Sequence, residues 1–377
     1  MTAVKSFFFK RINYAPLLAI AFINFIFLYK YLARVNEYAL PVSIGYFCFF
    51  IFIPYIIHLF NKELFPYIIL LLLIIVTAFY ILLLNKIPVH TLNVDRWSVI
   101  KNFWDSLLQG QYPYTSRSHM NNLPGAFPFY FVLSFPFYYI NEVGYFPILS
   151  ILIFAWYIYV KCEREKALLM LFILLLSACI AWEVVSRSTI FANSIILFIY
   201  LHSLVDADLT KKRNLILYGL AGGLVLSVRS LAAMPIILVF SFLFVSSRKW
   251  RQMFTLGITL CISFVCTFVP LFVYYPALFI KQNPIVLQSI FLPFYVMVIF
   301  MLIAFVLGLA IKNKYSFFLY SGFIVFACVL VYFITNTLKY GIDGAYFRSL
   351  IDISYSIFSF PFLLFCVYKP LRLPVQP

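Results

Sequence analysis

The stretch Leu64–Leu84 reads LFPYIILLLLIIVTAFYILLL, without one charged side chain. As an α-helix rising 1.5 Å per residue it is about 30 Å long, the depth of a bilayer's hydrocarbon core. A second uncharged run, Gln282–Ile311, is longer still and has room to tilt or kink. Around these two runs the chain has 377 residues, 65% hydrophobic and 11% charged. A soluble domain carries about 25% charged residues to keep its surface in water. The expected fold is therefore all-α, a polytopic transmembrane bundle forming one domain over residues 1–377. The 46 Phe and 28 Tyr suit lipid contact and interfacial belts.

Apolar runs fall near 14–29, 39–57, 64–84, 143–160, 167–183, 189–205, 214–228, 231–247, 253–275, 285–311, 315–336 and 349–368, so about 12 spans are expected. Lys5, Lys10 and Arg11 precede the first run as in an uncleaved signal anchor, which places the N-terminus in the cytoplasm. Twelve crossings then bring Lys161/Arg164/Lys166, Lys211/Lys212/Arg213, Arg248/Lys249/Arg251, Lys312/Lys314 and Lys369/Arg372 to the cytoplasmic side. The net charge of +16 reads as this pattern, set against membrane lipid, and not as a nucleic-acid surface. Residues 128–142 are apolar but short and carry Pro128 and Pro136; crossing there would invert every later cluster. They are expected to form a re-entrant or interfacial segment, with a short span as the alternative. The seven Cys form no C-x-x-C pair, and His58, His90, His119 and His202 have no ligand spacing. Neither a disulfide framework, a metal site nor a cofactor is expected.

One connection is long, residues 85–127, and it falls on the outer side. Trp97, Ile100, Phe103/Trp104 and Leu107/Leu108 recur at three- and four-residue spacing, opposite Arg96, Lys101, Asn102 and Asp105. This predicts an amphipathic interfacial helix over 94–109, opened by Asn93 and closed at Gly110. The turn Gly110-Gln-Tyr-Pro-Tyr114 follows, then Pro124-Gly125. Of the twelve carboxylates, Glu63, Glu163, Glu165, Asp206 and Asp208 fall inside. Glu37, Asp95, Asp105, Glu142, Glu183 and Asp343 fall outside, with Asp352 just within the last run. A base working outside the cytoplasm has to come from this second group.

An acid soon after a transmembrane run, an interfacial helix, Gly-x-x-Pro-Tyr and a Pro-containing re-entry together resemble the first outer loop of GT-C glycosyltransferases. The nearest resemblance is to polyprenyl-phosphate-mannose-dependent mannosyltransferases. It covers about twenty residues, Asp95-Arg96-Trp97 through Gly110-Gln111-Tyr112-Pro113-Tyr114, with echoes in Ser186-Arg187, Asn193 and Gly219–Arg229 before Pro235. The chain departs from the family where its acid follows the third run, and where Leu123-Pro-Gly-Ala-Phe-Pro128 replaces Tyr-Pro-Pro.

The resemblance implies transfer of a mannose-like hexose from a polyprenyl-phosphate donor to an extracytoplasmic glycan or lipid acceptor, in a bacterial inner membrane. It implies Asp95 as general base, with Asp105 and Glu183 as the other catalytic candidates. Arg187, Arg229 and Arg96 would hold the donor phosphate. Gly110, Tyr112, Pro113 and Tyr114 would form a substrate loop. Glu183 and Arg187, one helical turn apart, also read as a plain ion pair.

A transporter or flippase competes with this reading, as does a surface-polysaccharide polymerase. Only 12 Gly, no internal repeat and no paired broken helices weigh against the transporter. The polymerase has no use for an early acidic loop. The topology makes a direct prediction. A Ser116→Cys variant should react with an impermeant thiol reagent in intact cells; reaction only after permeabilisation would reverse the orientation.

Overall fold

The computed structural model describes residues 10–59, 63–247, 249–289, 294–348 and 352–370. Lys5, Arg248 and Arg372, used above for topology, lie outside the described residues. The described chain is helical from end to end. Helices α1 (Tyr14–Leu32), α2 (Ala39–Leu59) and α3 (Phe65–Lys86) are followed by α4 (Arg96–Leu108), α5 (Pro128–Tyr139) and α6 (Tyr145–Lys161). Then come α7 (Arg164–Leu175), α8 (Ala178–Val185), α9 (Ile190–Val205), α10 (Lys212–Leu226), α11 (Ala233–Ser247) and α12 (Trp250–Cys266). Three one-and-a-half-turn helices, α13 (Val269–Tyr274), α14 (Pro276–Lys281) and α15 (Pro284–Ser289), lead to α16 (Phe294–Ala310), α17 (Lys314–Ile342) and α18 (Phe360–Cys366).

Five stretches are long and apolar enough to cross a bilayer: Tyr14–Leu32, Ala39–Ile57, Pro66–Lys86, Trp250–Tyr274 and Lys314–Phe347. The pair α7 and α8, bent by 57° at Leu176-Ser177, makes a sixth if it crosses as one unit. This is a membrane protein, but the expected twelve full spans do not appear among the described residues. The remaining apolar helices, Tyr145–Lys161, Ile190–Val205, Ser230–Ser246, Phe294–Ala310 and Ile353–Cys366, have 10–17 residues. Seventeen residues reach only about 25 Å. The reason is that apolarity marks what lipid or a core accepts, whereas Pro and polar residues mark where a helix stops. The run 167–183 breaks at Ser177, between α7 and α8.

Helix α5 is about 18 Å long, too short to cross. Its entrance is fastened to the break after α10: the Phe127 N–H donates to the Val228 carbonyl at 3.3 Å and the Phe129 N–H to that of Ser227 at 3.1 Å. Helix α4 begins at Arg96 with Asp95 in the cap position, and not with Asn93. It ends as expected at Gly110. There φ is +73°, the Gln111 N–H reaches the Ser106 carbonyl (2.9 Å) and the Gly110 N–H that of Leu107 (3.1 Å). That is a left-handed glycine cap, which a side chain resists. Ile100, Phe103, Tyr112, Tyr114, Ala126, Tyr130 and Phe131 give this loop its own apolar core.

Where two helices of the bundle touch backbone to backbone, glycine makes room. A Cβ on Gly219 would stand 1.7 Å from Thr259 Oγ1, and one on Gly223 would stand 2.4 Å from the Leu260 carbonyl. Gly219 and Gly223 are one turn apart, so α10 lies directly against α12, as small-residue interfaces do in lipid. Gly223→Ala should therefore force the helices apart and cost about 1–3 kcal/mol. Gly45→Ala, in α2 with open space around it, should be neutral or stabilise by about 0.5–1 kcal/mol. Thermal unfolding of the two variants in detergent tests the pair, and equal midpoints would contradict it.

Candidate functional site

The first residue of α4 organises a dense charge cluster that several elements share. Arg96 Nη1 donates to Glu183 Oε1 at 3.0 Å and also to the Ser188 hydroxyl; Nη2 donates to Asp352 Oδ2. Its side chain is 11% exposed and that of Glu183 0%. The other Glu183 oxygen accepts from Ser188 Oγ (2.7 Å) and the Phe191 N–H (3.0 Å). Burial alone would lower the Arg96 guanidinium, yet the Asp352 and Glu183 carboxylates hold it above its ordinary value. Burial likewise pushes the Asp352 carboxyl up, and Arg96 with the Ser354 N–H more than reverses this, leaving it below the usual carboxylate value. Lys30, at the end of α1 and 1% exposed, lies within electrostatic reach of Asp352 and Arg96.

Asp95, one residue earlier, points the other way. Its Oδ2 accepts from Ser118 Oγ at 2.5 Å and Asn122 Nδ2 at 2.7 Å. It makes no capping bond to its own helix. Its Oδ1 has no partner among the described residues, and the side chain is half-buried. One oxygen is thus fixed by the loop and the other is not.

Arg229 sits in the break between α10 and the turn Ser230–Ala232. It is 8% exposed, and its Nη1 donates to the Tyr355 hydroxyl at 2.6 Å. The guanidinium lies 5.2 Å from the Tyr130 ring centre and 5.0 Å from that of Tyr355. Its Nε is buried without an acceptor among the described residues. It heads a small cleft whose remaining wall is largely Leu231, Met297, Val329 and Tyr332. Gln288 closes one side, accepting from the Ser230 N–H and hydroxyl and donating to the Gly125 carbonyl. The long loop and the Arg229 cleft therefore adjoin, because Asp352 and Tyr355 belong to one short segment.

Other expected site residues have different places. Asp105 accepts from the Tyr138 hydroxyl at 2.7 Å and ties α4 to α5, three turns from Asp95. Arg187, at φ +53°, spends its guanidinium on main-chain carbonyls: Leu84 (2.7 Å), Ile87 (3.1 Å) and Val185 (2.8 Å). It closes the C-terminus of α3, where a cation suits the helix dipole, while its Nε has no hydrogen-bond acceptor among the described residues. Its ionic neighbour is Glu142 at 3.4 Å, so the expected Glu183–Arg187 pair does not form. Arg96 is a buried joint and has no free edge for a phosphate. Glu183 is sealed with it, which removes it as a base.

Tyr112 and Tyr114 are 1% and 0% exposed, donating to the carbonyls of Gln282 (2.9 Å) and Ala126 (2.8 Å). With buried Pro113 and the Gly110 cap they shape the loop from inside and do not face a substrate. The sequence also carries an Asp-x-Asp triplet, Asp206-Ala207-Asp208. It lies at the far end of α9, about 24 Å from the Glu183 end. Asp206 pairs there with Lys314 (2.6 Å), and Asp208 with Lys211 (3.6 Å).

Sequence reasoning passed over Lys30, Ser118, Asn122, Gln288 and Tyr355, and left Asp352 without a task. Lys30 and Asp352 did carry a signal, a charge at the edge of an apolar run. The hydroxyl and amide partners carried none. No family model, curated protein or solved structure matches this chain.

The Arg96 joint is testable. Arg96→Ala leaves the Glu183 carboxylate buried without its cation, for an expected loss of about 3–5 kcal/mol. Arg96→Met combined with Glu183→Met should lose less, because Glu183 is then no longer stranded and Asp352 still has Lys30 within electrostatic reach. Asp352, lowered in the fold, stabilises above its ordinary pKa and stops doing so as pH falls through its lowered value. Thermal unfolding in detergent reads both, and a double variant worse than the single one would refute the joint.

Proposed function

We propose that this protein is a membrane hexosyltransferase of GT-C type. It takes a mannose-like sugar from a polyprenyl-phosphate carrier to a glycan or lipid acceptor, on the extracytoplasmic side of a bacterial inner membrane. One observation carries the reading: a cleft with a cation at its polar end and an apolar wall adjoins a loop that holds a carboxylate with one oxygen free. In this reading the donor's phosphate lies toward Arg229 and its chain runs along Met297 and Val329, two of the residues that line the cleft. The carboxylate of Asp95 is set for proton transfer.

In the reaction the acceptor hydroxyl attacks the anomeric carbon and its proton passes to Asp95 Oδ1. The new O–C bond forms as the bond from that carbon to the phosphate oxygen breaks, and the electron pair leaves on the phosphate. Arg229 stabilises the growing charge in a poorly hydrated site, where a fixed cation has most effect. Arg96 contributes by position, holding the start of α4, and so Asp95, against the bundle. A lipid flippase would also use the cleft, but it has no need of an anchored, half-free carboxylate in the adjoining loop.

Asp95→Asn keeps the size of the side chain and removes its proton affinity. Transfer from a radiolabelled polyprenyl-phosphate hexose should fall about 10²–10⁴-fold with folding intact. Asp105→Asn, which touches only the Tyr138 contact, should lose far less. Parent-level transfer by Asp95→Asn at matched expression would end the assignment.

A further inference from the structure

Beside the Asp95 carboxylate the long loop displays three rings brought together from three segments. His119 stacks on Trp97, with centroids 5.3 Å and planes 27° apart, and His90 stands against Trp97 at 5.1 Å and 83°. His90 comes from the turn Val89–Thr91, Trp97 from the first turn of α4 and His119 from the loop after Thr115. Both imidazoles are exposed and the indole is half-buried. His119 is held in place by Ser98 Oγ, which lies 2.7 Å from its Nδ1 and accepts its main-chain N–H at 3.3 Å. The Trp97 indole N–H is buried without an acceptor among the described residues. Burying a donor this way destabilises the fold, and Phe would avoid it. Packing the loop does not call for tryptophan here.

We propose that this shelf binds a hexopyranose ring of the acceptor, its C–H face against the outer face of His119, which Trp97 backs, and a hydroxyl on Asp95 Oδ1. The inference rests on the transferase reading and narrows its acceptor to a glycan. Aromatic faces are electron-rich and attract the weakly positive C–H face of a sugar. A carboxylate oxygen with no protein donor is a strong acceptor for a hydroxyl. Exposed Lys101, one turn beyond Trp97, and exposed Arg117, two residues before His119, add donors at the rim. They also repel cations, and the stacked Trp97–His119 pair offers a ligand only its one outer face. A quaternary ammonium needs rings on several sides.

Saturation-transfer NMR on the full chain in detergent, with methyl α-mannoside, methyl β-glucoside and methyl β-galactoside as probes, tests the shelf directly. At least one hexoside should bind with a dissociation constant on the order of 1 mM, its ring C–H protons receiving most saturation. His119→Ala and Trp97→Ala should weaken it about 3- to 10-fold, the contribution of one ring contact. His119 is exposed, so its variant decides the matter even if Trp97→Ala misfolds. No hexoside signal, binding unmoved in both variants, or choline binding in place of sugar would overturn the shelf. Hexoside binding by a chain that transfers nothing from a lipid donor would sink the transferase reading and leave the shelf standing. Active transfer with an acceptor KM that neither variant changes would do the reverse.

Discussion

A single buried guanidinium joins the parts of this molecule that have chemistry to offer. Arg96 begins the loop helix and reaches into the bundle to hold Glu183 of α8, the Ser188 hydroxyl and Asp352. In a low-dielectric interior such a joint stands only if every charge finds a partner. Glu183 is fully satisfied, and Lys30 nearby supplies further positive charge. Because Arg96 is anchored from below, Asp95 is turned upward into the loop, and its position is set by the bundle as much as by Ser118 and Asn122.

The same arrangement separates two environments over a short distance. On one side Arg229, Tyr355 and Tyr130 surround a polar point at the head of an apolar cleft. On the other side Asp95 and the Trp97, His119 and His90 rings face water. The proposed donor in lipid and acceptor in solution would meet at this boundary. Helix α5 keeps the two halves together, since its entrance bonds to Ser227 and Val228, immediately before Arg229.

The bundle beneath is built for close approach. Gly219 and Gly223 let α10 rest on the backbone of α12, and Gly308 lets α16 approach Ser241 of α11. These contacts place the break that presents Arg229. The helices around it are short because the breaks at Ser177 and Arg229 are where the chain delivers polar groups to the site.

Apolar runs and the scarcity of charge were enough to determine an all-helical membrane protein, because transfer into hydrocarbon depends on composition over some twenty residues. Local spacing was enough for the loop helix and its glycine cap, since both depend on neighbours within a turn. Asp95 stood out for the same reason, as an acid beside a helix start. Folding alone assigned Arg187 to the carbonyls of α3, gave Glu183 to Arg96, and buried Tyr112 and Tyr114 inside the loop. It also cut the expected spans, as helix ends follow from breaks and packing that hydropathy does not register. Each of these outcomes joins residues about 90 to 260 positions apart or rests on how a segment packs, and periodicity holds no information at that range.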